Sequence, residues 1–474
     1  MAGPAREEIE AVLDLIVREA RGYLTSVDDR PLRDPKADAF ADGLSARFPE
    51  QGVGALDAMR ELLEGGLPAS VASSGPRFFH YVIGGVTPAA LGAAWLTDAI
   101  DQNPGLWDAS PMGSVLGRVS LEWLLDLFGL PPAWAGTIVT GGTMANYAAL
   151  ASARRWWGLE HGRDIDEQGM DGLPPVPVLS SGYVHASAKK VSGMLGMGRE
   201  RIRILARDGV GRVDLDGLRE ALAGAGGPAI VIANAGEVNA GDFDPIADMA
   251  SLAEQHGAWL HVDGAFGLFA AVSPRTRHLV EGVERAHSVS VDGHKWLNVP
   301  YDTGFTFVRD ASLLDGAFTQ QAAYLTTEAG RSNLMWRTPE SSQRARGLAV
   351  WASLRAYGRE GYREMVEGHL DLAQRLAAGV DAAPDLERLA EVPLNIVCFR
   401  YHPPGMDDEE GLNDLNRRIG EEILPDGRVY VGTTRYDGKV AFRPAIVNWR
   451  TRPEDVDLVL ETVSDLGARL RPGR

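Results

Sequence analysis

The sequence predicts an α/β protein, with a mostly parallel central sheet covered by helices on both faces, a helical N-terminal segment and a small α+β domain at the C-terminus. Two observations predict it. Between residues 136 and 308, seven short apolar runs alternate with helical stretches; near-continuous Val/Ile/Leu runs of this kind are strands buried on both faces. After residue 342 a long helical stretch leads into runs that read as antiparallel strands. At 474 residues with 45% hydrophobic content, the chain has material for more than one core.

In chain order, Ala5 to Tyr23 carries Ile9, Leu13, Ile16 and Ala20 at helical spacing, and Ala55 to Leu63 is a second short helix. Residues 1–75 therefore form the helical segment. Residues 76–341 form the large α/β domain. Its strands are GTIVT (136–140), PVLSSG (177–182), IRIL (202–205), AIVIANAG (229–236), AWLHVDG (258–264), HSVSVDG (287–293) and GFTFV (304–308). Residues 342–474 form the C-terminal domain, with strands NIVCFRY (395–401), VYVGTTRY (429–436) and KVAFRPAIV (439–447) and a closing helix from Glu454 to Leu470. Asp437-Gly438 between the last two strands is a hairpin turn signal.

Charge and cysteine content exclude several classes. A net charge of -18 and a pI near 5.1 argue against a nucleic-acid partner, which needs a basic face. No apolar run approaches the roughly 20 residues that span a membrane. The stretch MAGPAREEIEAVLDLIVREA is acidic and amphipathic, without the plan of a signal peptide. Cys398 is the only cysteine, so no internal disulfide forms, and a cytoplasmic protein is the economical expectation.

Four features fall at strand ends, where ligands of such sheets bind. In TGGTMANYAAL (140–150) a strand meets Gly141, Gly142 and Thr143 and then a helix. This is a phosphate cradle of backbone N–H groups, or a tight turn with Thr143 as N-cap. In HVDGAFG (261–267) Asp263 ends a strand; its carboxylate pairs with a protonated ring nitrogen, caps a loop or binds a metal. In VDGHKWLN (291–298) Lys295 follows His294. The chain has five lysines against 42 arginines, and only lysine can lose its proton and attack a carbonyl. The bland alternative is a surface lysine. In SSGYVHASAKK (180–190) His185 opens a helix, either as a structural residue or stacked on a flat cofactor. A phosphate cradle, a ring stacker, an acidic partner and an aldehyde-trapping lysine together suit one small molecule, pyridoxal phosphate.

The chain resembles the pyridoxal-phosphate-dependent group II decarboxylases, which include aromatic-L-amino-acid and glutamate decarboxylases. PRFFHYVIGG (76–85), LHVDGAFG, DGHKWLN and AFRPAIVNWRTRPEDV (441–456) carry the resemblance along nearly its whole length. It implies a fold-type I architecture with pyridoxal 5'-phosphate as cofactor. By resemblance Lys295 is the Schiff-base lysine, Asp263 keeps the pyridine nitrogen protonated, and Ala265 and His185 pack on opposite ring faces. Gly141, Gly142, Thr143 and His294 surround the phosphate. The reaction implied is decarboxylation of an L-amino acid to an amine and CO2, through a Schiff base and a quinonoid. A homodimer with active sites at its interface is also implied, with the N-terminal helices contributing to it.

Two departures qualify that expectation. Family decarboxylases carry a loop tyrosine that protonates Cα. The matching region, 322–346, has Leu334, Met335 and Trp336 near that place, and only Tyr324 earlier. Loss of that tyrosine accompanies aldehyde formation within the family, so an oxidative decarboxylase is the alternative reading, with an aminotransferase further behind; otherwise His185 is the proton donor. In addition, the family's Gly-Thr-Thr is GEVN (236–239) here, which brings Glu237 towards the ring or the substrate. Phe79, His80, Tyr81 and Trp107 near the pocket mouth favour an aromatic or large apolar substrate, unless these residues are core. An inert cofactor-binding relative conflicts with the retention of Lys295, Asp263 and His185. A nucleotide-binding oxidoreductase lacks its G-x-G-x-x-G.

Overall fold

The computed structural model describes residues 6–43, 47–319 and 333–471. Its centre is a seven-stranded sheet of β1 (Ala135–Val139), β2 (Val178–Ser180), β3 (Ile202–Ile204), β4 (Ile230–Asn234), β5 (Trp259–Asp263), β6 (Ser288–Asp292) and β7 (Gly304–Val308), in the order β1-β7-β6-β5-β4-β2-β3. Six strands run one way, and β7 runs against both its neighbours. Residues 293–303, which link β6 to β7, contain no helix. They cannot make the crossover that a parallel return needs, so the chain comes back antiparallel. Every residue of β1, β4, β5, β6 and β7 is buried, as their uninterrupted apolar sequences require. All seven strands read from the sequence are present, each within two residues of its expected ends.

The C-terminal sheet pairs β8 (Leu386–Arg388), β9 (Phe399–Tyr401), β10 (Thr433–Tyr436) and β11 (Lys439–Phe442) antiparallel, in the order β10-β11-β9-β8. Asp437 and Gly438 both have positive φ, 48° and 78°, as the two-residue hairpin turn demands. The three strands read here are longer in the sequence than in the structure. Of 395–401 only the last three residues pair as β9, while Asn395 donates from Nδ2 to the Ile446 carbonyl at 3.2 Å. Tyr430 leaves the sheet to exchange backbone bonds with the 76–85 segment, accepting from the Phe79 N–H at 2.9 Å. Strand β8 was not anticipated, because its charged sequence lacks strand patterning.

A long helix, Gly347–Ala382, connects the two sheets. It packs first against the helices Pro88–Ile100 and Pro111–Phe128, and further along against the closing helix Pro453–Leu470. It breaks at Gly358, whose φ of 59° only glycine adopts readily. The N-terminal helix spans Arg6–Ser26 and buries none of its residues; the apolar positions Ile9 and Leu13 are 51% and 57% exposed. Among the described residues no helix is long and apolar enough to cross a membrane.

Candidate active site

Lys295, Asp263, Ala265 and His185 converge on one cavity of about 240 Å³, which Glu237, Arg443 and Tyr81 also line. The topology brings them there. The parallel strands β2, β4, β5 and β6 all end at this side of the sheet. Asp263 is the last residue of β5, Lys295 follows β6 by three residues, and His185 caps the helix Ala186–Met194 after β2.

Asp263 is held on both carboxylate oxygens. Oδ2 accepts from Asn146 Nδ2 at 2.9 Å, and Oδ1 accepts from the Ala265 N–H at 3.2 Å. Asn146 is itself clamped, its Oδ1 accepting from Ser290 Oγ at 2.7 Å and lying 2.9 Å from His261 Nε2. Complete burial lowers the His261 pKa to about 4, so the ring is neutral at pH 7. Ser288 Oγ accepts from Trp259 Nε1 at 3.0 Å and in turn lies 3.0 Å from His261 Nδ1. Asn146 Oδ1 can only accept, so the proton of the neutral ring sits on Nε2 facing it, and the Ser288 hydroxyl donates to Nδ1.

His185 Nδ1 accepts from the Ser187 N–H at 3.2 Å, which places the proton of the neutral ring on Nε2. The ring is open to the cavity rather than covered by side chains, yet sits deep in protein. Burial lowers its pKa, against the raising effect of Asp263.

The turn after β1, expected from the resemblance to surround the phosphate, lies beside the end of β6. Gly141 has φ 134°, a conformation reserved for glycine, and opens the helix Gly142–Glu160. Asp292, at the end of β6, reaches into this turn. It accepts from the Gly142 N–H at 3.1 Å, lies 2.8 Å from His294 Nδ1 and 3.9 Å from Lys295 Nζ. Apart from this close approach, neither His294 Nδ1 nor Asp292 Oδ1, both buried, has a hydrogen-bond partner among the described residues. The ring of Tyr301 stacks on His294 with centroids 4.1 Å apart.

The substrate-side residues separate. Tyr81 lines the cavity, and both it and Val82 adopt positive φ, 59° and 60°, strained backbone for side chains of that size. His80 packs behind Tyr81, with ring centroids 3.7 Å apart. Burial, with the charge of Arg443 adding to it, lowers its pKa to about 4. Phe79 is 1% exposed and belongs to the core of the C-terminal domain with Val397 and Phe399. Trp107 lines a different cavity with Leu121, Trp134 and Leu334. Within one chain, then, neither Phe79 nor Trp107 reaches the Lys295 cavity. Met335 is buried, its N–H donating to the Gly105 carbonyl at 3.1 Å; Tyr324 lies outside the described residues.

Sequence reading missed Asn146, Asp292 and Arg443. Arg443 is 8% exposed, and its Nη1 donates to the Val238 carbonyl at 3.2 Å. Its signal was in plain view: a lone charge inside the apolar run VAFRPAIV, where burial is costly without a purpose.

A lysine amine, a held carboxylate and a histidine line one cavity, and the helix N-terminus opened by Gly141 adjoins it through Asp292, which contacts both Gly142 and Lys295; this is the arrangement a fold-type I pyridoxal-phosphate site requires. The donor set fits the cofactor: an amine for its aldehyde, a carboxylate for its ring nitrogen, and, beside the glycine turn, the buried and unpartnered His294 Nδ1 for its phosphate.

The comparisons with known proteins agree. Residues 55–402 match the pyridoxal-dependent decarboxylase conserved domain, and the chain belongs to that family. It is 27% identical to the aromatic-L-amino-acid decarboxylase of Bacillus atrophaeus, over 96% of this chain and 93% of that one. It is 29% identical to the L-2,4-diaminobutyrate decarboxylase of Rhizobium meliloti, over 89% and 84%. Among solved structures it is similar to Oryza sativa TDC, crystallised with PLP and tryptamine, at a TM-score of 0.91 and 25% identity over 99% of both chains. The protein is a pyridoxal-phosphate-dependent amino-acid decarboxylase.

Proposed function

We propose that the protein converts an L-amino acid with an aromatic or large apolar side chain to its amine and CO2. The observation that carries this reading is the convergence of Lys295, Asp263 and His185 on one cavity beside Tyr81, Phe266 and Arg443. When bound, pyridoxal phosphate supplies a carbonyl for amine exchange and a ring that accepts the electrons of a bond broken at Cα. Lys295 Nζ is the amine that would hold it, and the same amine would release the product. Asp263, fixed by Asn146, would hold a proton at the ring nitrogen. Gly142 and His294 would hold the phosphate. Arg443 would hold the substrate carboxylate. His185, in its imidazolium form, would return a proton to Cα in place of a loop tyrosine and be left neutral, the form that its lowered pKa favours.

A second reading is favoured by one observation. Residues 334–336 carry leucine, methionine and tryptophan, and the phenylacetaldehyde synthase of Arabidopsis thaliana is 26% identical over 93% of this chain. The aldehyde-forming reaction therefore stands as the alternative. A homodimer is supported by apolar side chains left uncovered on two neighbouring helices, Trp95 and Leu96 on one and Met112 and Trp123 on the other, between 37% and 52% exposed. The single cysteine supports a cytoplasmic location.

The test is to give the holoenzyme each of the twenty amino acids and follow product mass, CO2, ammonia and peroxide. An amine with CO2 and no ammonia is expected. An aldehyde with ammonia and peroxide would replace this reading with the second.

A further inference from the structure

Glu237 stands where the family resemblance expects threonine, and it is a carboxylate on the wall of the substrate cavity, 4% exposed. Burial raises its pKa, so an anion here needs compensation. The backbone provides it. Oε2 accepts from the Asn239 N–H at 2.8 Å, and Oε1 accepts from the Ala240 N–H. The Glu237 N–H donates to the Asp242 carbonyl at 2.7 Å, and its own carbonyl accepts from the Gly241 N–H at 2.9 Å. One residue, by two side-chain and two backbone bonds, thus closes the turn that follows β4.

That turn holds the C-terminal domain at two points. Thr434 Oγ1 donates to Asn239 Oδ1 at 2.6 Å, and Arg443 Nη1 donates to the Val238 carbonyl at 3.2 Å. Arg443 makes no ion pair with a carboxylate among the described residues. After burial itself, the strongest influence on its charge is Glu237. A buried guanidinium with one carbonyl partner would swing or draw in water unless something fixed it. A threonine at 237 would bring no charge and a single oxygen.

We infer that Glu237 is a positioning residue for Arg443 and, through it, a determinant of carboxylate recognition. Its carboxylate locks the 237–240 turn that presents the Val238 carbonyl, and its charge steadies the guanidinium facing the cavity. The inference rests on the reading of Arg443 as the carboxylate site.

The test titrates the holoenzyme by calorimetry with 3-phenylpropanoate and with glutarate, carboxylates that have no amine to exchange with Lys295. Wild type, Glu237→Gln, Arg443→Gln and the double variant are compared, with cofactor content checked by absorbance. Both single variants are expected to bind the preferred probe about tenfold or more weakly, and the double variant no more weakly than Arg443→Gln alone. Weakened Arg443→Gln beside an unchanged Glu237→Gln overturns the inference and leaves the Arg443 reading intact. Additive losses in the double variant overturn it too, since Glu237 would then act independently of Arg443. An unchanged Arg443→Gln, or no binding of either probe to wild type, overturns the Arg443 reading and the inference with it. If Glu237→Gln loses cofactor, Glu237→Asp, which keeps the charge and shortens the reach, decides: intermediate weakening upholds the inference, and wild-type affinity overturns it.

Discussion

Asn146 donates from one amide nitrogen both to Asp263 Oδ2, at 2.9 Å, and to Ser187 Oγ, at 3.1 Å. Ser187 in turn lies 2.7 Å from His185 Nδ1. A single side chain, itself 1% exposed, therefore fixes the acid at the end of β5 relative to the histidine that caps the helix after β2.

Removing that link is expected to weaken cofactor binding rather than unfold the protein. Asn146→Ala deletes a hydrogen bond to a carboxylate, worth about 1.5–3 kcal/mol, and so is expected to raise the dissociation constant for pyridoxal phosphate at least tenfold. Asn146→Asp sets a second carboxylate against Asp263 and is expected to be worse. Titration of cofactor-stripped protein, followed by tryptophan fluorescence, measures both. Wild-type affinity in Asn146→Ala would mean that Asp263 is placed by the Ala265 N–H and by Ser290 Oγ, which lies 3.5 Å from its Oδ1, alone.

Gly432 is needed for the space it leaves. A Cβ there would lie 1.7 Å from His80 Cε1, and His80 is confined between the rings of Tyr81 and Tyr430. Gly432→Ala is expected to cost about 1–3 kcal/mol of stability and to raise KM, because His80 can move only by pushing Tyr81 into the cavity. Urea unfolding with substrate kinetics checks this, and wild-type values for both would contradict the packing described.

Acid is expected to destabilise the fold below neutrality. His80, His261, His287 and His369 all have pKa values lowered by burial to about 4, while a histidine in an unfolded chain titrates near 6.5. Between those values the unfolded chain binds more protons, so stability rises with pH and is lost on acidification, by about 1.4 kcal/mol per pH unit for each histidine. Asp244, raised by burial to about 6, and Glu237, raised in the same direction, oppose this at the acid end of the window. The balance leaves net proton uptake on unfolding. Urea midpoints of the holoenzyme at pH 7, 6 and 5 are expected to fall in that order. A flat profile would show these histidines to be solvated.

The central sheet was legible in the sequence because each of its strands is a short apolar run, and burial on both faces leaves little other choice. The C-terminal strands were less so. There Asn395 and Tyr430 make hydrogen bonds outside the sheet, which no local pattern announces. Asp263 ends β5, His185 opens the helix after β2, and Ala265 and Lys295 follow strands by two and three residues, so all four were legible as residues at strand ends, while their roles came from the family resemblance. Asn146 was hidden in the second turn of a helix, where its role depends on a strand 117 residues away. Phe79 and Trp107 do not line the Lys295 cavity within one chain: an aromatic side chain looks the same in sequence whether it faces a substrate or a core.

The most direct test of the account is where the cofactor attaches. Borohydride reduction of the holoenzyme, followed by peptide mass mapping, reads this cleanly because the chain has only five lysines. The expected result is one reduced-cofactor increment on the peptide containing Lys295, absent from Lys295→Ala. An increment on Lys189 or Lys190 instead, or one that survives in Lys295→Ala, would contradict the assignment of this cavity as the active site.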